Sequence, residues 1–309
     1  MRLVTAVLRH DGEKRILSDA DRTAADIPVK AAAGPAPVPR RTKRHCGIIN
    51  RRIAGLSAAT VVPAGTAPRQ RSIVYLPGGS YTYPLLTAHW WLITAFAREN
   101  NARVHVIFYP LAPDGTVATV VPAVADAVAE IAAEEGESPV LAGDSAGGGL
   151  ALAVTHQLRQ SGRAQPEHLV LLAPWLDAEL GHPGIDALVR TDPSLARQGL
   201  LYSARLWAGG LDLEDPLVSP AHLPVDGLCP TTMVFGTNDI LYPDGQDWAR
   251  RAHRAGVDLA TYTATGGFHV FIAATALPES VAARSLISRR IGPRSADASD
   301  PTYPHRGDR

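Results

Sequence analysis

Two patterns of apolar and polar positions alternate along most of the chain. Short runs of apolar and β-branched residues indicate buried strands, and longer segments with apolar residues at helical spacing separate them. After residue 86 the predicted strands cover 103–108, 138–142, 169–172, 232–235 and 259–263. The predicted helices cover 87–100, 121–135, 146–160, 244–255 and 280–290. Strands separated by helices need crossover connections, so the pattern predicts a mainly parallel sheet with helices on both faces.

Three further strand patterns precede this alternation. They cover 47–55, 58–62 and 72–76, and short turns join them. Short connections favour antiparallel pairing, so these strands are expected to form an antiparallel edge of the sheet. The predicted fold class is therefore α/β, with an eight-stranded sheet in one catalytic domain over residues 46–292.

Three segments do not follow the alternation. Residues 1–45 contain a short helix pattern opening at Ser18 and the basic run Arg40–Arg44, and they are expected to lie outside the main core as part of a cap. Residues 179–223 are too long for an ordinary connection and helical in the middle, which predicts a cap insertion. Residues 293–309 have no apolar periodicity, so we expect a disordered tail.

The residues Gly143-Asp144-Ser145-Ala146-Gly147 match G-x-S-x-G between a predicted strand and a predicted helix. In this context the serine lies on a sharp turn that exposes its hydroxyl, and small flanking residues are needed for the turn to close. A tight glycine-rich turn without chemistry would give the same bare pattern. The flanking strand and helix favour Ser145 as a nucleophile.

A serine hydroxyl needs a base to take its proton, and His269 is the best candidate among eleven histidines. It follows the last predicted strand in Gly266-Gly267-Phe268-His269, where glycines leave the backbone free to turn the imidazole into a cleft. The other ten lie inside predicted elements, in peripheral segments or before the strand 232–235. Packing or surface roles account for them.

Asp239 is the predicted acid that orients His269. It lies four residues after the strand 232–235, so the chain order is Ser, Asp, His, as in the α/β-hydrolase arrangement. Asp244 follows the same strand but is expected at the N-cap of the next helix.

Acyl transfer also needs N–H groups directed at the developing oxyanion. The segment Leu76–Tyr81 follows the third predicted strand and carries two adjacent glycines, which let the backbone approach a substrate oxygen. The N–H of Ala146 directly follows the nucleophile. The segment could equally well form a plain β-turn. Only its position relative to the sharp turn at Ser145 favours the oxyanion role.

Composition and charge limit the kinds of partner that the protein is expected to bind. Thirty basic residues balance thirty acidic ones, so no net field favours nucleic acid or an anionic membrane. Cys46 and Cys229 lack metal-ligand spacing, so neither a metal site nor a disulfide is predicted. The apolar run Leu3–Leu8 is too short for a signal peptide or a membrane span, and a cytoplasmic location is expected.

Several motifs together resemble the hormone-sensitive-lipase-like esterases, a family with the α/β-hydrolase fold. They occur in the family's order between Ile53 and Gly292. The matching segments are 76–81, 108–113 (Phe-Tyr-Pro-Leu-Ala-Pro), 143–148, 215–220 (Asp-Pro-Leu-Val-Ser-Pro), 236–239 and 267–269. The resemblance implies hydrolysis of short to medium acyl esters without a cofactor, under a cap built from the N-terminal segment and the insertion. A small apolar ester is the implied partner, while lactones, acetylated bulky alcohols and a homo-oligomeric state stay open.

Carried over by position, the family's triad falls on Ser145, Asp239 and His269. Its oxyanion donors fall on the N–H groups of Gly79, Ser80 and Ala146. Members usually have His-Gly-Gly-Gly where this chain has Pro77-Gly78-Gly79-Ser80, so the histidine that fixes the loop is absent. Ser80 would be strained if its backbone adopted a positive φ.

Four aromatic residues near these motifs or in the insertion are predicted to line the substrate pocket, because ligand pockets are mostly apolar. They are Tyr81, Tyr202, Trp207 and Phe268.

Two other functions remain open. An amidase or peptidase would use the same triad on a poorer leaving group, and a binding protein with this fold would have lost its chemistry. The presence of all three triad residues favours an enzyme.

Overall fold

The computed structural model describes residues 1, 4–6, 8, 12–65 and 70–292, and within them eight strands form one sheet. The strands are β1 (Cys46–Ile53), β2 (Leu56–Pro63), β3 (Arg71–Leu76), β4 (Ala102–Phe108), β5 (Val140–Asp144), β6 (His168–Leu172), β7 (Thr231–Gly236) and β8 (Leu259–Ala264). Their order is β1-β2-β4-β3-β5-β6-β7-β8. This arrangement confirms the predicted eight-stranded, mainly parallel sheet.

Only β2 runs against the other strands of this sheet. It pairs antiparallel with β1 and β4, whereas every other neighbouring pair is parallel. The expectation that β3 belongs to an antiparallel edge is therefore wrong. A helix connects β3 to β4, so β3 crosses over to lie between β4 and β5. The carboxyl ends of seven strands consequently meet at one edge of the sheet.

Residues 4–6 and 8 are helical, and ten further α-helices with described bounds lie around the sheet. They are α1 (Glu13–Leu17), α2 (Ala20–Ala33), α3 (Arg40–His45), α4 (Thr87–Glu99), α5 (Val117–Glu135), α6 (Ala146–Gln160), α7 (Ile185–Leu188), α8 (Arg197–Ala208), α9 (Tyr242–Arg254) and α10 (Pro278–Ile291).

The two faces of the sheet bury separate apolar cores. Successive strand residues point to opposite faces, so Leu141 packs in one core and Ala142 in the other. Helices α5, α6 and α9 cover the first face, and α4 and α10 cover the second. Because both faces are covered, β5 and β6 are buried along their whole length.

Three predicted helix starts differ from the structure. Helix α2 begins after Asp19, whose carboxylate accepts the Arg22 N–H at 3.0 Å, so Asp19 and not Ser18 is the cap. Helix α5 begins at Val117, four residues before the predicted start at residue 121, and it contains Pro122. The earlier start is stabilised because the Thr119 hydroxyl accepts the Thr116 N–H and the valines of the first turn are buried. Helix α9 begins at Tyr242, so Asp244 lies inside the first turn and makes no cap bond.

The N-terminal helices pack against the inserted segment between β6 and β7. A Cβ on Gly199 of α8 would lie 2.7 Å from Leu17 Cα and 2.6 Å from Thr23 Oγ1. This close approach brings α1 and α2 onto α8. The basic run after them forms α3, and the predicted tail 293–309 lies outside the described residues.

Three helices end at the sheet edge opposite the strand carboxyl ends. Helices α5, α6 and α9 are each followed within two residues by a glycine with positive φ, at Gly136, Gly162 and Gly256. A Cβ at any of these glycines would meet no atom within 4 Å.

Candidate active site

Ser145 lies on the sharp turn between β5 and α6. Its backbone has φ 51° and ψ −123°, a conformation that non-glycine residues rarely adopt. A Cβ at Gly143 would overlap the Gly147 carbonyl, and one at Gly147 would overlap the Leu76 carbonyl. Both flanking glycines are thus required for the turn, which is fixed further by the Ser145 N–H bond to Leu172 O at 2.9 Å.

His269 and Asp239 form a hydrogen-bonded pair at the same edge of the sheet. The His269 Nδ1 atom lies 2.7 Å from Asp239 Oδ2, and Asp239 Oδ1 accepts the Leu241 N–H at 2.9 Å. The loops that carry them are joined, because the Asn238 N–H donates to Gly267 O at 2.7 Å. Among the described residues no hydrogen bond links the Ser145 hydroxyl to this pair.

Charges around His269 favour its protonated form. Burial by itself would lower its pKa, but the charge and hydrogen bond of Asp239, with further effects from Asp192 and Asp144, raise the pKa to about 9. The imidazolium is therefore favoured at neutral pH. A reaction that needs the neutral ring would accelerate as the pH rises.

Asp144, next to Ser145, anchors the loop that follows β3. Its Oδ1 accepts the Tyr75 hydroxyl at 2.6 Å and the Gly78 N–H at 3.0 Å, and its Oδ2 lies 3.1 Å from His89 Nε2. His89 Nδ1 accepts the Leu86 N–H at 2.8 Å, which leaves the ring hydrogen on Nε2 to be donated to Asp144. Burial would raise the pKa of Asp144, but these donors lower it below its usual value.

The anchored loop has unusual backbone geometry. Gly79, Ser80 and Tyr81 have φ of 132°, 52° and 62°, so two non-glycine residues are in the left-handed region. The Thr82 and Tyr83 N–H groups both donate to Gly79 O, which closes the loop. No backbone hydrogen bond in the described part of the chain uses the N–H of Gly79, Ser80 or Ala146.

Residues 73–273 match a family profile described as the α/β-hydrolase fold, which covers more than half of the chain. The chain belongs to this family. A triacylglycerol lipase of Mycobacterium tuberculosis is 35% identical over 189 residues, which are 60% of this chain and 38% of the lipase. The chain therefore spans well under half the length of that lipase. An acetyl-hydrolase of Streptomyces hygroscopicus is 34% identical over 212 residues, 65% of this chain and 68% of that protein.

Solved structures agree with these sequence matches. The crystal structure of an esterase from the bacterial hormone-sensitive lipase family is similar with a TM-score of 0.75 and 27% identity. The similarity covers 88% of this chain and 98% of the esterase. The predicted resemblance to hormone-sensitive-lipase-like esterases is confirmed.

The four predicted pocket residues of the hydrolase lie in different surroundings. Tyr81 stacks on Trp207 with ring centroids 4.1 Å apart, and Trp207 is fully buried. Phe268 is buried in the core beneath α4 and α10. Tyr202 lines a cavity of about 660 Å³, which the anchored loop also borders through Pro77 and Gly78.

That cavity lies between the N-terminal helix α2, helix α8 and the loops that follow β3 and β4. Its lining is mostly apolar and includes Ile27 of α2, Tyr83, Phe108 and Leu206 of α8. The sequence analysis assigned none of these residues to a site, because the residues that line the cavity come from four separate segments of the chain. Only the packing of α2 and α8 brings them together.

The described residues contain no group of histidine, cysteine or carboxylate side chains that could hold a metal ion. Both cysteines are buried thiols. No helix in the described part of the chain is long and apolar enough to cross a membrane.

Proposed function

We propose that this hydrolase is a serine carboxylesterase that acts on short to medium acyl esters through an acyl-enzyme. Ser145 Oγ attacks the ester carbonyl while His269 Nε2 takes its proton. His269 then donates that proton to the departing alcohol. A water molecule, deprotonated by the same imidazole, attacks the acyl-enzyme. The acid departs, and the imidazolium returns the proton to Ser145 Oγ.

The observation that supports this mechanism best is the 2.7 Å hydrogen bond between His269 and Asp239 at the sheet edge that carries the Ser145 turn. Asp239 fixes the Nδ1–H tautomer, which leaves Nε2 as the atom that accepts the serine proton. Its charge also stabilises the imidazolium formed in each half-reaction. A binding protein without chemistry has no need for a strained serine and a paired histidine together.

The oxyanion donors in this mechanism are the N–H groups of Gly79, Ser80 and Ala146. Two observations support this assignment. None of the three N–H groups has a backbone hydrogen-bond partner in the described chain, and the loop is closed by hydrogen bonds to Gly79 O. Free N–H groups held in place cost little reorganisation when the oxyanion forms. Asp144 would keep them in place through Gly78.

The proposed substrates are small apolar esters. The cavity of about 660 Å³ beside the oxyanion loop is lined mainly by apolar side chains, which suits an acyl chain or a bulky alcohol. A p-nitrophenyl ester series of increasing acyl length, repeated with lactones and acetylated bulky alcohols, would define the range. An ester panel compared with matched anilides would distinguish an esterase from an amidase.

The central experiment is Ser145→Ala with an organophosphonate as covalent probe. The wild type is expected to lose activity as one equivalent of phosphonate attaches to Ser145. The folded variant is expected to be inactive and unlabelled, because only one exposed oxygen is missing. Normal turnover by Ser145→Ala would contradict the proposal, and a wild type with neither turnover nor labelling would indicate a binding protein.

A further inference from the structure

Asp192 is a buried carboxylate in the turn between α7 and α8, with 1% of its surface exposed. Its Oδ1 accepts the N–H groups of Ser194 at 2.9 Å and Leu195 at 2.8 Å, and the Ser194 hydroxyl lies 3.4 Å away. Its Oδ2 accepts the Ile240 N–H at 2.9 Å. The first group of donors closes the turn of Asp192 itself, whereas Ile240 belongs to a different part of the chain.

Ile240 directly follows Asp239, the acid proposed to orient His269. Two consecutive backbone N–H groups thus donate to two different carboxylates. The Ile240 N–H donates to Asp192, and the Leu241 N–H donates to Asp239. This arrangement holds the backbone on the carboxyl side of Asp239 from outside the loop. A shift of that backbone would move the Asp239 carboxylate away from the imidazole.

The two carboxylates lie side by side in a buried environment. Burial and the charge of Asp239 raise the pKa of Asp192 to about 6, while its three backbone N–H partners oppose that rise. Both carboxylate oxygens of Asp192 accept backbone N–H groups, and these hydrogen bonds favour its ionised form. The charged groups around His269 are Asp239, Asp192 and Asp144, and all three favour the imidazolium.

The same turn is connected to the N-terminal segment. The Lys14 ammonium of α1 donates to Val189 O at 2.6 Å and to the Asp192 carbonyl. A chain of hydrogen bonds therefore runs from α1 through Asp192 and Ile240 to the loop of Asp239. The Lys14 link joins the two parts of the predicted cap to each other, and the link from Asp192 to Ile240 joins the insertion to the loop of Asp239.

We propose that Asp192 is a positioning residue that fixes the Asp239 loop and adds a second negative charge to stabilise the imidazolium of His269. This inference rests on the proposed function of Ser145, His269 and Asp239. Asp192 itself contacts neither substrate nor the reacting atoms. It acts through Ile240 N–H and through its charge.

The test compares the pH dependence of ester hydrolysis in the wild type, Asp192→Asn and Asp192→Glu. Asparagine removes the charge and places an amide against the Ile240 N–H, so kcat should fall roughly tenfold to a hundredfold with little change in KM. The acid limb of kcat/KM should move to lower pH by about one unit. Asp192→Glu keeps the charge and should retain the wild-type acid limb while lowering kcat.

Ser194→Ala is the matched control, because it removes the long hydroxyl contact and leaves the backbone donors in place. It should reproduce the wild-type kcat and pH profile. A folded Asp192→Asn whose acid limb coincides with that of the wild type would overturn the inference. If Asp192→Asn does not fold, Asp192→Ser carries the same expectation. If neither folds, Asp192→Glu decides, and a wild-type kcat in that variant would overturn the inference.

The proposed function can fail separately from this inference. If Ser145→Ala retains turnover, the triad assignment is wrong. If Ser145→Ala is inactive and the acid limb of Asp192→Asn is unchanged, only the role of Asp192 is wrong.

Discussion

Asp239 and Asp244 lie five residues apart and have different surroundings. Asp239 holds His269 and the Leu241 N–H, whereas Asp244 is 8% exposed and its Oδ2 has no hydrogen-bond partner in the described chain. Burial, with the charges of Asp177 and Asp247, raises the pKa of Asp244 to about 7. The two positions therefore separate a catalytic effect from a stability effect.

We expect Asp239→Asn to lower turnover by roughly ten-thousandfold, as the comparable aspartate-to-asparagine change does in a serine protease triad. Asp244→Asn should leave turnover unchanged, because Asp244 touches no triad residue. It serves as the matched control. A large loss of turnover confined to Asp244→Asn would reverse the assignment of the acid.

Asp244→Asn should also change stability in a pH-dependent way. Since the folded protein raises the pKa of Asp244, the ionised carboxylate destabilises the fold as the pH rises from about 4 to above 7. Asparagine removes that penalty, so we expect a gain of about 1–2 kcal/mol at pH 8 and a smaller effect near pH 4. Thermal unfolding at both values measures the difference, and an equal Tm change at both would contradict this explanation.

His269 sets the pH dependence of the reaction. Its pKa is raised to about 9, and the mechanism needs the neutral ring, so kcat/KM should increase with pH and reach half of its maximum above 6.5. A profile of kcat/KM between pH 5 and 10 on an activated ester tests this. A plateau already established at pH 6.5 would show that the charges around the imidazole do not act as described.

Tyr75 donates to Asp144, which anchors the proposed oxyanion loop. In Tyr75→Phe the carboxylate loses its 2.6 Å hydroxyl donor and keeps the Gly78 N–H, so the loop should be held less firmly. We expect kcat to fall about tenfold with KM nearly unchanged, and stability to fall by about 1–3 kcal/mol. Tyr262→Phe in β8 is the control, and equal losses in both variants would rule out an effect specific to the loop.

At the scale of elements, the Ser145 turn and the two loops that carry Asp239 and His269 could be predicted from the sequence. Glycines at fixed offsets and strand ends of β5, β7 and β8 determine them locally. The role of His89 could not be predicted. It lies inside α4 and reaches Asp144 only because the helix packs beside β5's carboxyl end, a contact 55 residues away in sequence.

The same limit explains the missed start of α9. The sequence favoured Asp244 as a cap because aspartate follows proline there, but Asp239 Oδ1 accepts the Leu241 N–H and the helix begins at Tyr242 instead. A tertiary contact, the position of the Asp239 carboxylate beside His269, determined the local boundary. In the N-terminal segment the predicted and observed helix caps differ by one residue. Ser18 and Asp19 are equally good caps by residue type, so the sequence could not distinguish them.

Helix α8 should be sensitive to any side chain added where it meets α1 and α2. Gly199→Leu would overlap Leu17 and Thr23, so the N-terminal helices are expected to move away from the cavity. We predict a changed preference among acyl chain lengths, with turnover on the shortest ester reduced by less than about tenfold. Arg205→Leu on the exposed side of α8 is the control, and unchanged chain-length preference in Gly199→Leu would remove the N-terminal helices from substrate selection.

At the scale of the whole molecule, one edge of the sheet carries Ser145, Asp239 and His269, and the N-terminal helices pack on the inserted segment between β6 and β7. The number of strands and the mainly parallel direction of the sheet could be predicted from the alternation of strands and helices. The position of β3 between β4 and β5 could not, because it depends on the crossover through α4. The cavity likewise depends on how two distant segments pack.

The helix ends at Gly136, Gly162 and Gly256 have a practical consequence for immobilising this enzyme. They lie at the sheet edge opposite the Ser145 turn, and space around each of them is open. A linker or a short peptide tag inserted beside one of these turns would project away from the catalytic cleft. An enzyme attached to a solid support through them would therefore present its substrate entrance to the bulk solution.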